Sequence, residues 1–558
     1  MSPPPSNTRR PPHDPEPYRV SGDLTWFTHG RVTELTDAVC AASAGQIQRR
    51  TIGHSVEGRS IERLTVGRGP VKVMMWSQMH GDEPTHTAVI FELLGLFNHE
   101  PDSAATREVL DACTLEIIPM LNPDGAERNQ RRNADGIDIN RDARHLQTPE
   151  GRLLKAQAEQ LQPDFAFNLH NQHRRTQVGS GKVASVSLLT PPIDEADTQT
   201  ESTARAKHVA AVFLEAVHDR CPGRVSRYDA DYMPRSFGEM IQQMGVPTVL
   251  IEAGGWQTGD DRELVTLHFD GMLATLHAIA TGDYLKSDRA AYEALPRSDE
   301  HRLFDLLIDG GEIHNGCGTD PFVGGLGINR DMGVSSIADV GDLFENGGLQ
   351  VLDAAGLVCR PGRFLYVPEF FPNQLPTQDE CVNLLSQGVT SLIGTIDVID
   401  VDQVDAVEHM NEHCGLPLHI GFVADCYGLR ELTKYDAAHA VSGLSAGGVL
   451  AIIAGADPWT DSFADWFGLP VVALEDLTEP EDDRSATLAR KLNPARGRGR
   501  LTLGAPADVT VAAPGPLIPA NLRYVIVAGK VAWAGGELAA PEQGRVLRRG
   551  RSLQHAPH

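Results

Sequence analysis

The sequence predicts an α/β fold with a largely parallel sheet in the first half of the chain, because strand-like and helix-like patterns follow one another there. Apolar runs at residues 71–77 and 115–121 read as buried strands, and the periodic stretch at residues 85–97 reads as a buried helix. Further upstream, residues 24–64 alternate polar and apolar side chains. Two glycines within residues 53–61 indicate a hairpin turn between the strands expected there.

Composition divides the 558-residue chain into four segments. Residues 1–20 are rich in proline and polar side chains, so we expect them to be disordered. Residues 21–285 hold the α/β domain, residues 286–300 are charged and polar and are expected to form a linker, and residues 301–558 form a second domain. Short β runs with glycine turns lie at both ends of that domain, so both ends are expected to contribute strands.

Charge and composition restrict the partners of the protein. A formal net charge of −26 argues against binding to nucleic acid or to an anionic membrane. A hydrophobic content of 41% with 22% charged residues is typical of a soluble globular protein. We find no signal-peptide pattern and no apolar stretch of bilayer-spanning length. The eight cysteines are scattered, without a Cys-x-x-Cys pair, which suits reduced thiols and a cytoplasmic location.

A histidine and a carboxylate follow the predicted strand at residues 71–77. They are His80 and Glu83 of the sequence HGDE, and Gly81 between them permits a bend in the backbone. With such a bend the two side chains can converge on one metal ion. Catalytic zinc takes imidazole nitrogen and carboxylate oxygen and has three protein ligands plus a water. Taken alone, the spacing fits a solvated turn as well as a metal site.

Two further apolar runs end on chemically active side chains. Residues 164–170 end on His170, and residues 247–252 end on Glu252. Open α/β sheets place their sites in the crevice at the ends of their strands. Packing alone does not explain three such strands, because an unpaired carboxylate has no place in a core. The sequence therefore predicts a functional site that contains His80, His170 and Glu252.

An arginine-rich segment follows the turn sequence NPDG at residues 122–125. It contains Arg128, Arg131, Arg132 and Arg141 within fourteen residues. One interpretation is a solvated basic loop on an acidic protein. The other is an anion site, because guanidinium groups pair with carboxylates in a bidentate manner and polarise carbonyl oxygens.

Together these motifs give residues 20–285 a specific resemblance to the zinc carboxypeptidases of the carboxypeptidase A/B type. The resemblance is carried by GHSVEGR at residues 53–59, the His80-x-x-Glu83 pair, NPDG, the segment that ends in Asn140-Arg141, the isolated His170, and Glu252, all in the order of the family. It implies a mixed sheet flanked by helices and a zinc-dependent hydrolase.

The resemblance also implies the catalytic groups. One zinc ion would be bound by His80, Glu83 and His170. Glu252 would be the general base that takes a proton from zinc-bound water and passes it to the leaving amine, while zinc activates that water and polarises the carbonyl.

A second catalytic residue, Arg131, and the substrate-binding groups follow from the same resemblance. Arg131 would stabilise the oxyanion of the tetrahedral intermediate. Asn140 and Arg141 would bind the terminal carboxylate of the substrate, which makes the cleavage exo-acting. Tyr232 would be the mobile tyrosine that closes over the substrate.

The chain departs from the family pattern in several places. Asn171 follows the third ligand where serine is frequent, and Asp142 places a negative charge beside the Asn-Arg pair. A shift of one residue would put Arg132 in the role of Arg131. The basic loop at residues 172–187 either extends the substrate site toward an acidic side chain or is merely solvated.

The second half resembles the amidohydrolase superfamily, especially its D-aminoacylase and dihydroorotase-like branches. In that superfamily the two ends of the chain form a small β-sandwich beside a metal-bearing α/β barrel. The metal pair His-x-His should follow Pro361-Gly362, but the sequence there is RFLYVPE. The stretch at residues 367–500 is also far shorter than the ~200–250 residues of a full barrel. We therefore expect a shortened, inactive barrel remnant that serves oligomerisation or shapes access to the zinc site.

Six scattered side chains of the second half remain as candidate ligands, with a structural role as the favoured interpretation: His409, His413, His419, His439, Cys414 and Cys426.

Four functional hypotheses remain open. The leading one is a zinc metallocarboxypeptidase that removes a C-terminal amino acid from a peptide. A second keeps the zinc but makes the enzyme a deacylase or amidase of N-acyl amino acids or of a dedicated small-molecule amide. A third places amidohydrolase activity in the second half, and a fourth is a binding protein that kept only the pocket. The substrate in the first two is a peptide or acyl amino acid with a free carboxylate.

Overall fold

The structure, a computed structural model, describes a set of residues that is continuous over most of the first half and broken into short pieces later. The described residues are 18–179, 181–228, 231–257, 260–315, 320–331, 334–343, 346–366, 370, 372, 375–397, 403, 416, 419–425, 451–453, 471–472, 501, 505–514, 520–528 and 530–539. Most of the predicted N-terminal tail and most of the predicted barrel remnant, including His409, His413, His439, Cys414 and Cys426, lie outside these residues.

The chain divides into two compact units, with the boundary between Leu303 and Phe304. The helices of the first unit are α1 (His29–Ala42), α2 (Thr85–His99), α3 (Ala104–Ala112), α4 (Pro123–Glu127), α5 (Pro149–Leu161), α6 (Glu201–Val217), α7 (Phe237–Gln243), α8 (Asp261–Thr281) and α9 (Arg289–Glu293), with 3-10 helices at Ile139–Arg141 and Asp283–Lys286. Its strands are β1 (Gln48–His54), β2 (Ser60–Gly67), β3 (Val71–Trp76), β4 (Cys113–Ile118), β5 (Phe165–Asn171), β6 (Thr176–Val178), β7 (Lys182–Val183), β8 (Val186–Leu189), β9 (Val225–Arg227), β10 (Thr248–Ala253) and β11 (Ser298–Arg302).

An eight-stranded mixed sheet forms the centre of the first unit. Its strand order is β1-β2-β4-β3-β5-β10-β8-β9, and the four central strands β4, β3, β5 and β10 run parallel. Along β3, Val73 and Met75 belong to one hydrophobic cluster, whereas Met74 and Trp76 belong to the other. Both faces of the sheet are therefore covered, which explains the continuous apolar runs of the central strands. The predicted strands, the buried helix and the hairpin of β1 and β2 are confirmed.

Helix α8 is the longest helix of this unit. By length and composition it is apolar enough to cross a membrane, although we expected no such segment from the sequence. However, 61% of its apolar window is buried inside the protein, and residues such as Leu267 and Leu276 belong to the core. Packing against the sheet and its neighbours accounts for the apolar composition of this helix.

Two segments differ from the sequence-based expectation. Residues 29–42, expected within an alternating strand region, form α1, whose N-terminus is capped by Thr28. The expected linker at residues 286–300 contains α9 and the first part of β11, and β11 pairs antiparallel with β6. An edge strand is held by backbone hydrogen bonds and needs little apolar surface, so the composition of this segment gave no sign of it.

The described residues of the second unit form two sheets. Its described elements are α10 (Gln378–Leu385), β12 (Phe304–Ile313), β13 (Phe322–Asp331), β14 (Val334–Gly341), β15 (Gly348–Asp353), β16 (Val358–Pro361), β17 (Arg363–Tyr366), β18 (Val389–Asp397), β19 (His419–Asp425), β20 (Ala451–Ile453), β21 (Val471–Val472), β22 (Val509–Ala512), β23 (Leu522–Val527), β24 (Lys530–Ala534) and β25 (Glu537–Leu538). In the nine-stranded sheet β16 pairs with β22, so both ends of this half contribute strands, as predicted. Strands β17 to β21 form a parallel sheet in chain order.

Candidate metal centre and active site

The candidate site lies where the parallel strands β3, β5 and β10 end. Glu252 on β10 stands beside His170 on β5 in the strand register, and Trp76 of β3 stands beside Asn168. His80 follows the end of β3 by four residues. Because the carboxyl ends of parallel strands meet at one edge of a sheet, these three segments bring their side chains to a common crevice.

The loop that carries His80 and Glu83 is packed tightly against the NPDG turn. A Cβ atom on Gly81 would lie 2.1 Å from the backbone carbon of Gly125, and the φ angle of Gly81 is not positive. Gly81 is therefore required by the close approach of two backbones, not by the conformational freedom expected from the sequence. The NPDG segment itself begins α4, where the side chain of Asn122 accepts the N–H of Gly125 at 2.9 Å.

Three buried side chains form a group that can hold a metal ion. The Nδ1 atoms of His80 and His170 each lie 2.7 Å from a different carboxylate oxygen of Glu83. The ligand atoms of the three residues lie within 4.8 Å of one another, and this is the one such group of His, Cys, Asp and Glu found in the described part of the chain. Two imidazole nitrogens and one carboxylate are a donor set that suits catalytic zinc.

A second carboxylate supports the first ligand from behind. The Nε2 atom of His80 lies 3.0 Å from Oδ1 of Asp138. A carboxylate only accepts, so Nε2 donates this hydrogen bond and Nδ1 is the ring atom that faces the cluster. Burial lowers the pKa of His80, but the charge of Glu83 and the hydrogen bond to Asp138 outweigh it and raise that pKa to about 9. The two histidines hold the pKa of Glu83 well below its usual range, although burial opposes them.

Arg131 adds a fixed positive charge next to the cluster. Its Nη1 atom donates to Glu83 at 3.1 Å, and its Nε atom donates to Asp138 at 3.1 Å. Its neighbour Arg132 turns to the exposed backbone carbonyl of Gly136 instead. The structure thus places Arg131, and not Arg132, at the site.

Glu252 is buried in the same cavity, and its environment suits a carboxylate that acts as a base next to a bound cation. Burial, together with the negative charge of Glu83, raises the pKa of Glu252 well above its ordinary value. Its Oε2 atom is buried without a hydrogen-bond partner among the residues that the structure describes. Such an orphaned carboxylate oxygen fits a site that binds a water or a cation. The residues present therefore fit a zinc centre.

The cavity around these groups has a volume of about 770 Å³. Besides the cluster and Glu252, its lining includes Arg131, Asn140, Arg141, Tyr228, Glu239 and Leu250. This volume is within the range of pockets that enclose small-molecule or peptide ends.

Asn140 and Arg141 are held in place on one wall of the cavity. The Oδ1 atom of Asn140 accepts the backbone N–H of Phe237 at 3.0 Å, which orients the amide. The Nη1 atom of Arg141 donates to the backbone oxygen of Asn140 at 2.7 Å and lies 3.4 Å from the hydroxyl of Ser236. Within the described ranges no carboxylate lies in ion-pair distance of Arg141, so this guanidinium is available to an anion.

Tyr232 does not line this cavity, contrary to the sequence-based expectation. Its hydroxyl accepts a hydrogen bond from Gln243 Nε2 at 2.7 Å, and it lines a neighbouring cavity of about 300 Å³. Tyr228 lines both cavities. The charge of Glu252, assisted by burial, raises the pKa of Tyr228 to about 12. The backbone N–H of Tyr228 bonds to Leu188, which fixes the tyrosine at the cavity wall.

Two departures from the family pattern have structural explanations. Asn171 bonds to both the backbone and the hydroxyl of Thr85 and so caps α2, while its own N–H donates to Glu83 at 3.1 Å. The carboxylate of Asp142 is buried and accepts three hydrogen bonds from Gln147 and Thr148. The negative charge of Asp142 therefore stabilises the loop before α5.

The basic loop at residues 172–187 contributes to the cavity in part. Gln172, His173 and Thr176 are among the lining residues. Nζ of Lys182 instead donates to the backbone oxygen of Pro222 on the surface.

Sequence reasoning missed three functional candidates, Asp138, Tyr228 and Glu239. Asp138 stands two residues before Asn140, and this spacing was the one local sign of its role. Tyr228, just after β9, and Glu239, on α7, reach the cavity only through the tertiary fold, which the sequence pattern did not define.

The comparisons with known proteins agree with this geometry. The family model for zinc carboxypeptidases, Peptidase_M14, matches residues 32–229. This range contains His80, Glu83, His170 and Arg141 and ends before Glu252. The first half of the chain therefore carries a zinc carboxypeptidase domain, a domain of the metallocarboxypeptidase class of enzymes.

Curated relatives are similar to this chain over part of their length. Carboxypeptidase D of Mus musculus is 27% identical over 182 residues, which are 29% of this chain and 12% of that protein. Carboxypeptidase D of Homo sapiens is 26% identical over 215 residues, or 35% and 14% of the two chains. Carboxypeptidase SOL1 of Arabidopsis thaliana is 30% identical over 100 residues, or 16% and 20%. The chain thus spans 12% of the length of mouse carboxypeptidase D.

Solved structures of metallo-carboxypeptidases are similar to the chain as well. The enzyme from Burkholderia cenocepacia aligns with a TM-score of 0.38 at 20% identity, covering 46% of this chain and 70% of its own. The enzyme from Pseudomonas aeruginosa, in complex with (2-guanidinoethylmercapto)succinic acid, aligns with a TM-score of 0.38 at 21% identity, covering 47% and 70%.

Proposed function

We propose that the protein is a zinc-dependent hydrolase that cleaves the amide bond before a C-terminal residue. The observation that carries this proposal is the pairing of two features in one cavity. One is the buried cluster of His80, Glu83 and His170 beside Glu252. The other is Arg141, which has no carboxylate partner among the described residues.

In the proposed mechanism a side chain of the protein transfers the protons, and a bound metal ion would act as the electrophile. Zinc held by His80, Glu83 and His170 would polarise the scissile carbonyl and lower the pKa of water at the site. Glu252, with its unpartnered oxygen in the cavity, takes a proton from the attacking water and delivers it to the leaving nitrogen. A carboxylate whose pKa is raised toward neutrality suits both halves of this transfer.

Two arginines bind different negative charges of the reacting substrate. Arg131 lies against Glu83 and stabilises the oxyanion that develops on the carbonyl. Arg141, with the oriented amide of Asn140, binds the carboxylate of the substrate. A cavity with a fixed carboxylate site accepts a chain end and not an internal bond, so the cleavage is exo-acting.

The alternative substrate is an N-acyl amino acid, because it carries the same free carboxylate. Both substrates are cleaved at the amide bond next to the residue whose carboxylate Arg141 binds, and they differ only in the acyl group. The geometry therefore does not separate them, and the preferred acyl group does. For the second unit, the described residues hold no group of three metal-binding side chains. Amidohydrolase activity from that unit stays a prediction without structural support.

The experiment uses the full-length protein loaded with zinc and a panel of N-benzoylglycyl dipeptides that carry each amino acid at the C-terminus. Products are identified by mass spectrometry. We expect benzoylglycine and a free amino acid, with faster turnover than that of the N-acetyl derivatives of the same amino acids, whereas a preference for the N-acetyl amino acids would indicate a deacylase. The same dipeptides with an amidated C-terminus should resist cleavage because Arg141 has no carboxylate to bind.

The matched variant is Glu252→Gln, which keeps the size of the side chain but removes the base. It should retain zinc and lose about 10²-fold or more of kcat. Full activity in this variant, or equal cleavage of amidated and free dipeptides, would contradict the proposal.

A further inference from the structure

Glu239 is a buried acid in the active-site cavity for which the proposed mechanism has no use. It lies on α7, its side chain is only 4% exposed, and it lines the cavity on the same wall as Arg141. The other buried carboxylates of this lining, Glu83 and Glu252, already have roles as ligand and base. A buried acid is costly to keep unless it has partners or a task.

The partners of Glu239 connect it to the proposed carboxylate site. Burial raises the pKa of its carboxyl group, and the backbone of Met233 and the hydroxyl of Ser236 oppose that rise. The same Ser236 hydroxyl lies 3.4 Å from Nη1 of Arg141. Ser236 therefore acts on both the buried acid and the guanidinium that would bind the substrate.

Arg141 is the charged group that affects the pKa of Glu239 most. Burial raises the pKa of Glu239 to about 7, and the charge of Arg141 opposes that rise. Among the described residues, the lining of this cavity also contains the following titratable side chains: His80, Glu83, Arg131, His170, His173, Tyr228, Asp231 and Glu252.

We propose that Glu239 is a positioning residue that sets, through Ser236 and Arg141, how strongly the enzyme binds the carboxylate of its substrate. This inference rests on the proposed function, because it requires Arg141 to bind that carboxylate. An ionised Glu239 places a second negative charge beside the same guanidinium and weakens the binding of the substrate. A protonated Glu239 carries no charge and leaves Arg141 fully available.

The consequence is a KM that rises as the pH rises through neutrality. Binding of the substrate carboxylate and ionisation of Glu239 oppose each other, and such coupling is reciprocal. If the bound carboxylate raises the pKa of Glu239 by about one unit, the substrate binds about tenfold more weakly once Glu239 is ionised.

The test compares the wild type with Glu239→Gln. Glutamine keeps an oxygen that can accept from Met233 and Ser236, so the variant is expected to fold, and Glu159→Gln on the exposed face of α5 serves as the control. KM is measured from pH 6 to pH 8 with the N-benzoylglycyl dipeptide that the zinc-loaded enzyme hydrolyses best. Calorimetric binding of the released free amino acid at both pH values gives a readout that is independent of turnover.

We expect KM to rise about fivefold between pH 6 and pH 8 in the wild type and in Glu159→Gln, but by less than about twofold in Glu239→Gln. The pH profile of kcat should be the same in all three proteins. Hydrolysis with the same KM profile in the wild type and Glu239→Gln would overturn this inference and leave the proposed function standing. Failure to hydrolyse any dipeptide at any pH would overturn the proposed function, and this inference with it.

Discussion

The Nε2 atom of His80 donates a hydrogen bond to Asp138 across 3.0 Å, while Nδ1 of the same ring faces Glu83 at 2.7 Å. The contact joins two segments that are 58 residues apart in the chain. A carboxylate behind a ligating imidazole fixes the orientation of the ring and increases the basicity of the nitrogen that faces the metal. Asp138 is therefore part of the candidate metal centre, although it contributes no ligand atom.

Replacing Asp138 with Asn should weaken zinc binding by about 10- to 100-fold. Asparagine removes the negative charge behind His80 while it preserves the size of the side chain. The measurement is a zinc dissociation constant from competition with a chelator. The matched control is Asp135→Asn, which changes an exposed carboxylate of the same loop. Equal zinc affinity in Asp138→Asn and Asp135→Asn would show that the contact has no such role.

Replacement of Arg131 and replacement of Arg141 should change different steady-state parameters. Loss of an oxyanion-stabilising donor acts on the transition state, so Arg131→Ala should lower kcat by about 10²- to 10³-fold with a small change in KM. Arg141→Ala should mainly raise KM, and Arg141→Lys should restore part of the binding as a point charge. Arg132→Ala is the control, because Arg132 bonds to Gly136 on the surface. The opposite assignment of kcat and KM effects would mean that the two roles are exchanged.

Tyr228 and Tyr232 form a matched pair for the tyrosine that faces the substrate. Only Tyr228 lines the cavity of the metal centre, whereas Tyr232 lines the neighbouring cavity and bonds to Gln243. Tyr228→Phe should lower kcat/KM by about 2- to 10-fold, the effect of one lost neutral hydrogen bond. Tyr232→Phe should leave kcat/KM unchanged. A loss in Tyr232→Phe alone would instead favour the tyrosine suggested by the family resemblance.

The buried Glu239 should also make the free energy of unfolding of the protein depend on pH. Burial raises its pKa from 4.5 to about 7 in the folded protein. Below pH 4.5 the group is protonated in both the folded and the unfolded protein and imposes no penalty. As the pH rises from 4.5 to 7 the folded state becomes less stable by up to about 3 kcal/mol relative to a neutral side chain, because the unfolded chain ionises first, and the loss is complete above pH 7.

Thermal unfolding of the wild type and Glu239→Gln at pH 5 and pH 8 checks this prediction. The unfolding temperature of Glu239→Gln, relative to the wild type, should be higher at pH 8 than at pH 5 by several degrees. A difference that is the same at both pH values would indicate that Glu239 does not titrate in this range.

Sequence alone revealed the parts of the site that have a local pattern. His170 and Glu252 stand at the ends of apolar runs, and a polar residue at such a position is visible without any knowledge of the fold. His80 and Glu83 follow a third run at a spacing that suits one metal ion. The parallel order of β3, β5 and β10 then brings all of them together.

Other parts of the site depend on contacts between distant segments. Glu239 and Arg141 line one cavity because Ser236 and Phe237, at the start of α7, bond to the 3-10 helix at Ile139–Arg141, and no periodicity in either segment indicates that contact. The choice between Tyr228 and Tyr232 depends on how a short segment leaves β9. Helix α1 was missed because its apolar stripe is weak and only two of its residues, Val32 and Thr36, are buried.

The most direct test of the metal centre is the zinc content of the full-length protein, measured by mass spectrometry for the wild type, His80→Ala, His170→Ala and the control His54→Ala. His54 is exposed at the end of β1 and far in sequence from the cluster. The zinc centre proposed here predicts one zinc ion per chain in the wild type and in His54→Ala, and its loss in both ligand variants. Zinc retained at one per chain in both His80→Ala and His170→Ala would contradict it and would move the metal site elsewhere in the chain.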